Sequence, residues 1–139
     1  MIVLDTNVLS ETLRPAPDPR VLAWFGAQRR ASLFTTTITQ AEILYGLGLL
    51  ADGARRRALS STIDAIFKED FAGRLLTFDR DAAEVYSQIA VSRKSAGLPI
   101  SLFDAMIVSV ARAAGATLAT RNVKDFAECG VALIDPWAA

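Results

Sequence analysis

"ISLFDAMIVSVARAAGATLATRN" occupies residues 100–122. From Ser101 to Ala114 it is strongly apolar and free of helix breakers, and Gly115 stands where helices commonly end on a left-handed residue. Thr117–Thr120 then reads as a short strand. A helix passed by a glycine straight into a strand is half of a βαβ unit. Such units build parallel sheets with helices on both faces. The same stretch carries an acid in the first turn of its helix, Asp104, and ends its strand in polar Thr120, Arg121 and Asn122. In open parallel sheets, ligands gather beyond the carboxyl ends of the strands. What the rest of the chain places at that edge therefore matters most.

The flanking sequence repeats the alternation. Ile2–Leu4 is a short apolar run that reads as a buried strand, and it ends abruptly in Asp5. Asn7–Leu13 fits a short helix stopped before Pro15. Asp18 can cap a second helix with Pro19 at its first position, running to about Arg30. "LFTTT" (Leu33–Thr37) reads as strand two, and a helix follows from Thr39 until Asp52 and Gly53 interrupt it. "ARRRALSSTIDAIFKEDF" is helical, with Leu59, Ile63, Ile66 and Phe67 on one face. "RLLTFD" (Arg74–Asp79) reads as strand three, Asp81–Ala96 as a helix broken by Gly97 to Pro99, and "VALI" (Val131–Ile134) as strand five. No repeat or linker divides the chain, so one domain is expected over residues 1–139.

Composition removes several chemistries. The chain has no histidine, which excludes Ser-His-Asp and Cys-His catalysis and imidazole metal sites. Any metal must rest on oxygen ligands, which points to Mg²⁺ or Mn²⁺. Lys+Arg and Asp+Glu are both 15, so no general basic coat for nucleic acid exists, although a local patch remains possible. The single cysteine, Cys129, excludes an internal disulfide and fits a reducing compartment. No signal peptide is evident and no apolar run is long enough to span a bilayer, so a cytoplasmic, membrane-free location is expected.

Acids from separate segments converge on the predicted strand ends. Asp5 follows strand one. Glu42 is expected in the first turn of the helix after strand two, and Asp104 in the first turn of the helix leading to strand four. "TRNVKDF" after strand four supplies Asn122 and Asp125. Each has a plainer explanation. Thr39 to Glu42 and Ser101 to Asp104 fit capping boxes, Asp5 can cap the helix after it, and Asn122 suits a turn. Together they make better sense. Converging carboxylates without a cation repel one another and take up protons, whereas a divalent ion removes that penalty.

Four stretches carry a family resemblance: "MIVLDTNVLSE", "TTTITQAEILYGL", "ISLFDAMIVSVARAAGATLATRN" and "NVKDF". In that order they resemble the PIN-domain proteins, most of all the VapC and FitB-like toxin ribonucleases of bacterial toxin–antitoxin pairs. The resemblance covers essentially the whole chain. It implies an α/β fold, a three-layer α/β/α sandwich with a central parallel sheet of about five strands. It implies a Mg²⁺- or Mn²⁺-dependent endoribonuclease that leaves a 5′-phosphate and a 3′-hydroxyl. The matching acids are Asp5, Glu42 and Asp104, with Asp5 and Asp104 as metal ligands. The fourth position falls on Asn122, with Asp125 close behind. Thr6, Asn7 and Thr120 are implied as an orienting shell. The family also implies a homodimer, an RNA substrate and inhibition by a small cognate antitoxin covering the acidic cleft.

Among the cations, Arg14, Arg80 and Arg121 lie near the proposed strand ends and are the phosphate candidates; Arg93–Lys94 could also reach substrate. Arg29–Arg30 and Arg55–Arg57 read first as solvated helix faces. "ILYGLGLL" (Ile43–Leu50) is unusually apolar and offers surface to a partner. Two rival functions remain at this level. One is a receiver-type phosphoryl-transfer domain with Asp79 as acceptor. The other is a non-catalytic PIN-like module acting with an antitoxin on operator DNA.

Overall fold

A computed structural model describes residues 1–139. Strand β1 (Ile2–Leu4) leads into helix α1 (Thr6–Thr12), then α2 (Pro19–Ala27) and strand β2 (Leu33–Thr36). Helices α3 (Thr37–Gly48) and α4 (Ala54–Ala65) follow, the latter prolonged by a π turn over Ile66–Asp70. Strand β3 (Leu75–Leu76), helices α5 (Arg80–Ser95) and α6 (Leu102–Ala113), strand β4 (Thr117–Ala119), a 3₁₀ turn (Val123–Phe126) and strand β5 (Leu133–Ile134) complete the chain.

The five strands form an all-parallel sheet in the order β3-β2-β1-β4-β5. From central β1 the chain adds β2 and β3 on one side, then crosses to add β4 and β5 on the other. The winding direction reverses between β1 and β4, and a reversal of that kind opens a crevice beyond the strand ends. The receiver-type order differs, with strand one flanked by strands two and three. The rival receiver reading fails on that topology.

Alternating side chains separate two cores. Val3 and Leu118 face one way, onto Ile89 of α5, Ile107 and Val108 of α6, and Phe126. Leu4 and Ala119 face the other way, onto Val8, Val21, Ile63 and Trp137. β1 is therefore apolar at consecutive positions because both of its faces are covered. Each fully buried Val or Leu in these layers contributes about 1.5–3 kcal/mol. No helix is long and apolar enough to cross a membrane.

Several boundaries differ from expectation. Helix α3 starts at Thr37, because the Thr36 hydroxyl accepts the Thr39 N–H at 3.1 Å. Thr39 is thus inside the helix rather than its cap, and Glu42 lies beyond the first turn. Strand β3 shrinks to Leu75–Leu76, because it pairs only with the end of β2 and Asp79 is drawn off to cap α5, accepting the Ala82 N–H at 2.9 Å. Helix α2 stops at Ala27 as Gln28 turns to an extended backbone.

Candidate active site

Asp5 is the residue on which the edge is built. Its N–H donates to the Ala119 carbonyl at 2.9 Å, so the backbone is still part of the sheet where the side chain leaves it. The residue is only 3% exposed. Oδ1 accepts the Thr6 N–H at 2.8 Å, capping α1, and Oδ2 accepts the Thr120 hydroxyl at 2.8 Å. That second bond spans β1 and β4 at the point where the winding reverses. Capping and site membership are thus both true of Asp5, one through each oxygen.

The polar shell continues from there. Thr120 also accepts the Asn122 N–H at 3.1 Å and the Asn7 side-chain amide at 3.5 Å. Asn7 Oδ1 in turn accepts the Arg121 N–H at 3.3 Å. On the other side, the Thr6 hydroxyl donates to Glu42 Oε1 at 2.7 Å and lies 3.0 Å from the Thr39 hydroxyl. With Thr6 committed to Glu42, Thr39 is the donor in that pair. Thr39 is fully buried, and sequence reasoning assigned it only a capping role. The β-branched run "TTTIT" gave no signal separating the capping Thr36 from the site-facing Thr39.

The acids sense one another. Burial pushes the Asp5 carboxyl up to about 6, against the hydrogen bonds from Thr120 and Thr6, and Asp104 and Glu42 add to the rise. Asp104 is half-buried at the start of α6, where the Ser101 hydroxyl accepts its N–H at 3.2 Å. Burial raises its carboxyl too, the Ser101 contact opposes this, and Asp125 raises it further. Asp125, exposed in the 3₁₀ turn, therefore completes a patch of four carboxylates from four segments. Asn122 precedes that turn, and its backbone rather than its side chain holds Thr120.

All these side chains offer oxygens, which would suit a hard divalent ion. No three of the acids stand close enough to form a cage on their own. Mg²⁺ keeps several waters and takes only one or two carboxylates directly, so an open set of this kind fits it.

A PIN-domain family profile matches residues 2–131. This chain belongs to the PIN-domain family. It is 38% identical over 137 residues to Toxin FitB of Neisseria gonorrhoeae, covering 99% of each chain. It is 39% identical over 137 residues to VapC ribonuclease Y4jK of Sinorhizobium fredii, covering 99% of this chain and 98% of the relative. Among solved structures, that of FitAB bound to an IR36 DNA fragment superposes with a TM-score of 0.94 at 38% identity. That match covers 99% of this chain and 96% of the other.

The cations of this PIN domain separate by position. Arg121 sits beside Asn122, its guanidinium 5.0 Å from the centroid of the Trp137 ring. Arg14 is 65% exposed and pairs with Glu11 at 3.3 Å. Glu11, itself buried, also accepts the Asp18 N–H at 2.9 Å and so ties down the start of α2. Arg80 is not brought to the acids. It opens α5, whose Asp81 and Ala82 share a cleft with Ala113 at the far end of α6. That end is nine residues, roughly 13 Å of helix, from Asp104. Arg93 is 4% exposed and cannot meet substrate; it donates to the carbonyls of Ala127 at 2.6 Å and Pro99 at 3.2 Å. It thereby joins the segment before Asp104 to the segment after Asp125.

Proposed function

We propose that this protein is a divalent-metal-dependent endoribonuclease and the toxin of a toxin–antitoxin pair. One observation carries the reading: at the sheet edge where the winding reverses, Asp5 lies within the electrostatic reach of Glu42 and Asp104, and Asp104 within that of Asp125, so four separate segments bring acids to one region. RNA as the substrate rests on similarity to a relative named as a ribonuclease, and the toxin role on similarity to one named as a toxin.

Asp5 and Asp104 would hold Mg²⁺ or Mn²⁺, with Asn122 or Asp125 completing the far corner. The ion, when bound, supplies positive charge to offset the phosphate and lowers the pKa of a water. The protein's own residues do the positioning. Thr120 and the Thr6 N–H hold both oxygens of Asp5 in place. The Thr39–Thr6 hydroxyl pair fixes Glu42 through Oε1, which leaves Oε2 to take a proton from the attacking water. Exposed Arg121 and Arg14 stand ready to meet phosphate oxygens of the strand. A homodimer and a bound antitoxin belong to the same reading, supported by the exposed Leu44, Tyr45 and Leu49 on and just after α3.

Asp104→Asn tests it. The variant keeps its N–H for Ser101 and is expected to fold normally while Mg²⁺- or Mn²⁺-dependent RNA cleavage and growth arrest are both lost. Unchanged cleavage would remove Asp104 from the site. Growth arrest that persists without cleavage would favour the DNA-acting module, for which the FitAB–DNA complex is the precedent.

A further inference from the structure

A groove of about 430 Å³ opens between α1, α3 and α4, and Thr6 and Glu42 belong to its wall. It is thus continuous with the acidic edge. Its size lies within the range of roughly 300–1,000 Å³ that small-ligand sites occupy. Leu47 and Leu59 make its wall apolar, and Arg14 and Arg55 bring positive charge to it. Arg55 is exposed and forms no ion pair. The helix-face reading of "ARRR" therefore does not exhaust its role.

Gly46 also lines the groove. A Cβ built there meets no atom within 4 Å. Glycine within a helix lowers its stability relative to alanine. Nothing in the chain's own packing requires the missing side chain. The space beside Gly46 is open to whatever enters the groove.

We propose that this groove is a nucleotide subsite for the substrate strand, an inference that rests on the ribonuclease reading above. One base lies against Leu47 and Leu59 in the space left by Gly46. The phosphates flanking it meet Arg14 and Arg55, and the next phosphodiester reaches Asp5, Glu42 and Asp104. An apolar wall beside two cations matches the make-up of a nucleotide, and the shared wall with Thr6 and Glu42 sets the register to the cleavage point.

The test uses the full chain and a short, fluorescently labelled, single-stranded RNA of random sequence. Binding is measured by anisotropy in chelator, and cleavage is measured separately with Mg²⁺. Gly46→Met, which fills the groove, is expected to weaken RNA binding roughly tenfold, the order of effect of losing the burial of one base against an apolar wall. Arg55→Gln is expected to weaken binding and to flatten its salt dependence by about 0.7 in log–log slope, one phosphate contact. If Gly46→Met does not fold, Arg55→Gln decides alone. Wild-type affinity in the folded variants overturns the subsite. So does a Gly46→Met protein that loses only a co-purifying protein partner, since the groove would then belong to that partner. Cleavage by wild type with unaltered variants sinks the subsite and spares the nuclease; the expected binding losses without any cleavage do the reverse. Wild-type protein that binds no RNA overturns both.

Discussion

At the scale of single residues, Asp5 shows how function and stability oppose each other. Unfolded aspartate releases its proton near 3.8, whereas folded Asp5 keeps it up to about 6. Between those values the folded state binds more protons. Stability of the metal-free protein therefore falls as pH rises through that window and then levels off. The displacement corresponds to a penalty on the order of 3 kcal/mol for carrying the charge at neutral pH. Asp5→Asn removes the charge and can still accept the Thr6 N–H through its amide oxygen. Denaturant unfolding in chelator at neutral pH is expected to show Asp5→Asn more stable than wild type, with a flatter pH profile and no nuclease activity. A variant less stable than wild type at neutral pH would mean that the Thr120 bond outweighs the buried charge.

At the scale of elements, the caps separate structural from chemical duties. The Ser101 hydroxyl holds the Asp104 N–H at the start of α6. Ser101→Ala is expected to lower stability by about 1 kcal/mol in chemical denaturation, whereas Asp104→Asn leaves that cap intact. Sequence reasoning placed Asp104 correctly because a helix after Ser101 and a stop at Gly115 are local signals. It also found the alternation of strands and helices, since apolar period and turn residues are local as well. It misplaced the start of α3, because neighbouring threonines are equally good caps and only the end of β2 chooses between them. It put Arg80 near the acids because strand three looked longer than it is. Once β3 ends at Leu76, the chain turns to start α5 beside the far end of α6. Arg93 looked like a surface cation because nothing local shows that two carbonyls from distant loops await it. The hydroxyl bonds from Thr39 to Thr6 and from Thr120 to Asp5 link residues far apart in sequence, and no single-chain pattern announces them.

At the scale of the whole molecule, the site belongs to the middle of the sheet rather than to its margins. Ligand that binds only the folded state stabilises it by mass action, about 2.7 kcal/mol at a hundredfold excess over Kd. Adding Mg²⁺ or Mn²⁺ is therefore expected to raise the melting temperature of wild type, and Asp5→Asn is expected to abolish the rise. A shift that survives in the variant would place the ion elsewhere. The Asp5 amide, hydrogen-bonded to Ala119 between the two central strands, leads to a last consequence. Amide hydrogens in such a position exchange with deuterium only through the rarest openings of the structure. The Asp5 N–H is expected to be among the slowest in the chain, far behind those of the short edge strand β3; rapid exchange there would contradict the placement. A centre that opens last has no easy fraying route to an off state. Switching it off falls to whatever can be laid over it, and switching it on again to the removal of that cover.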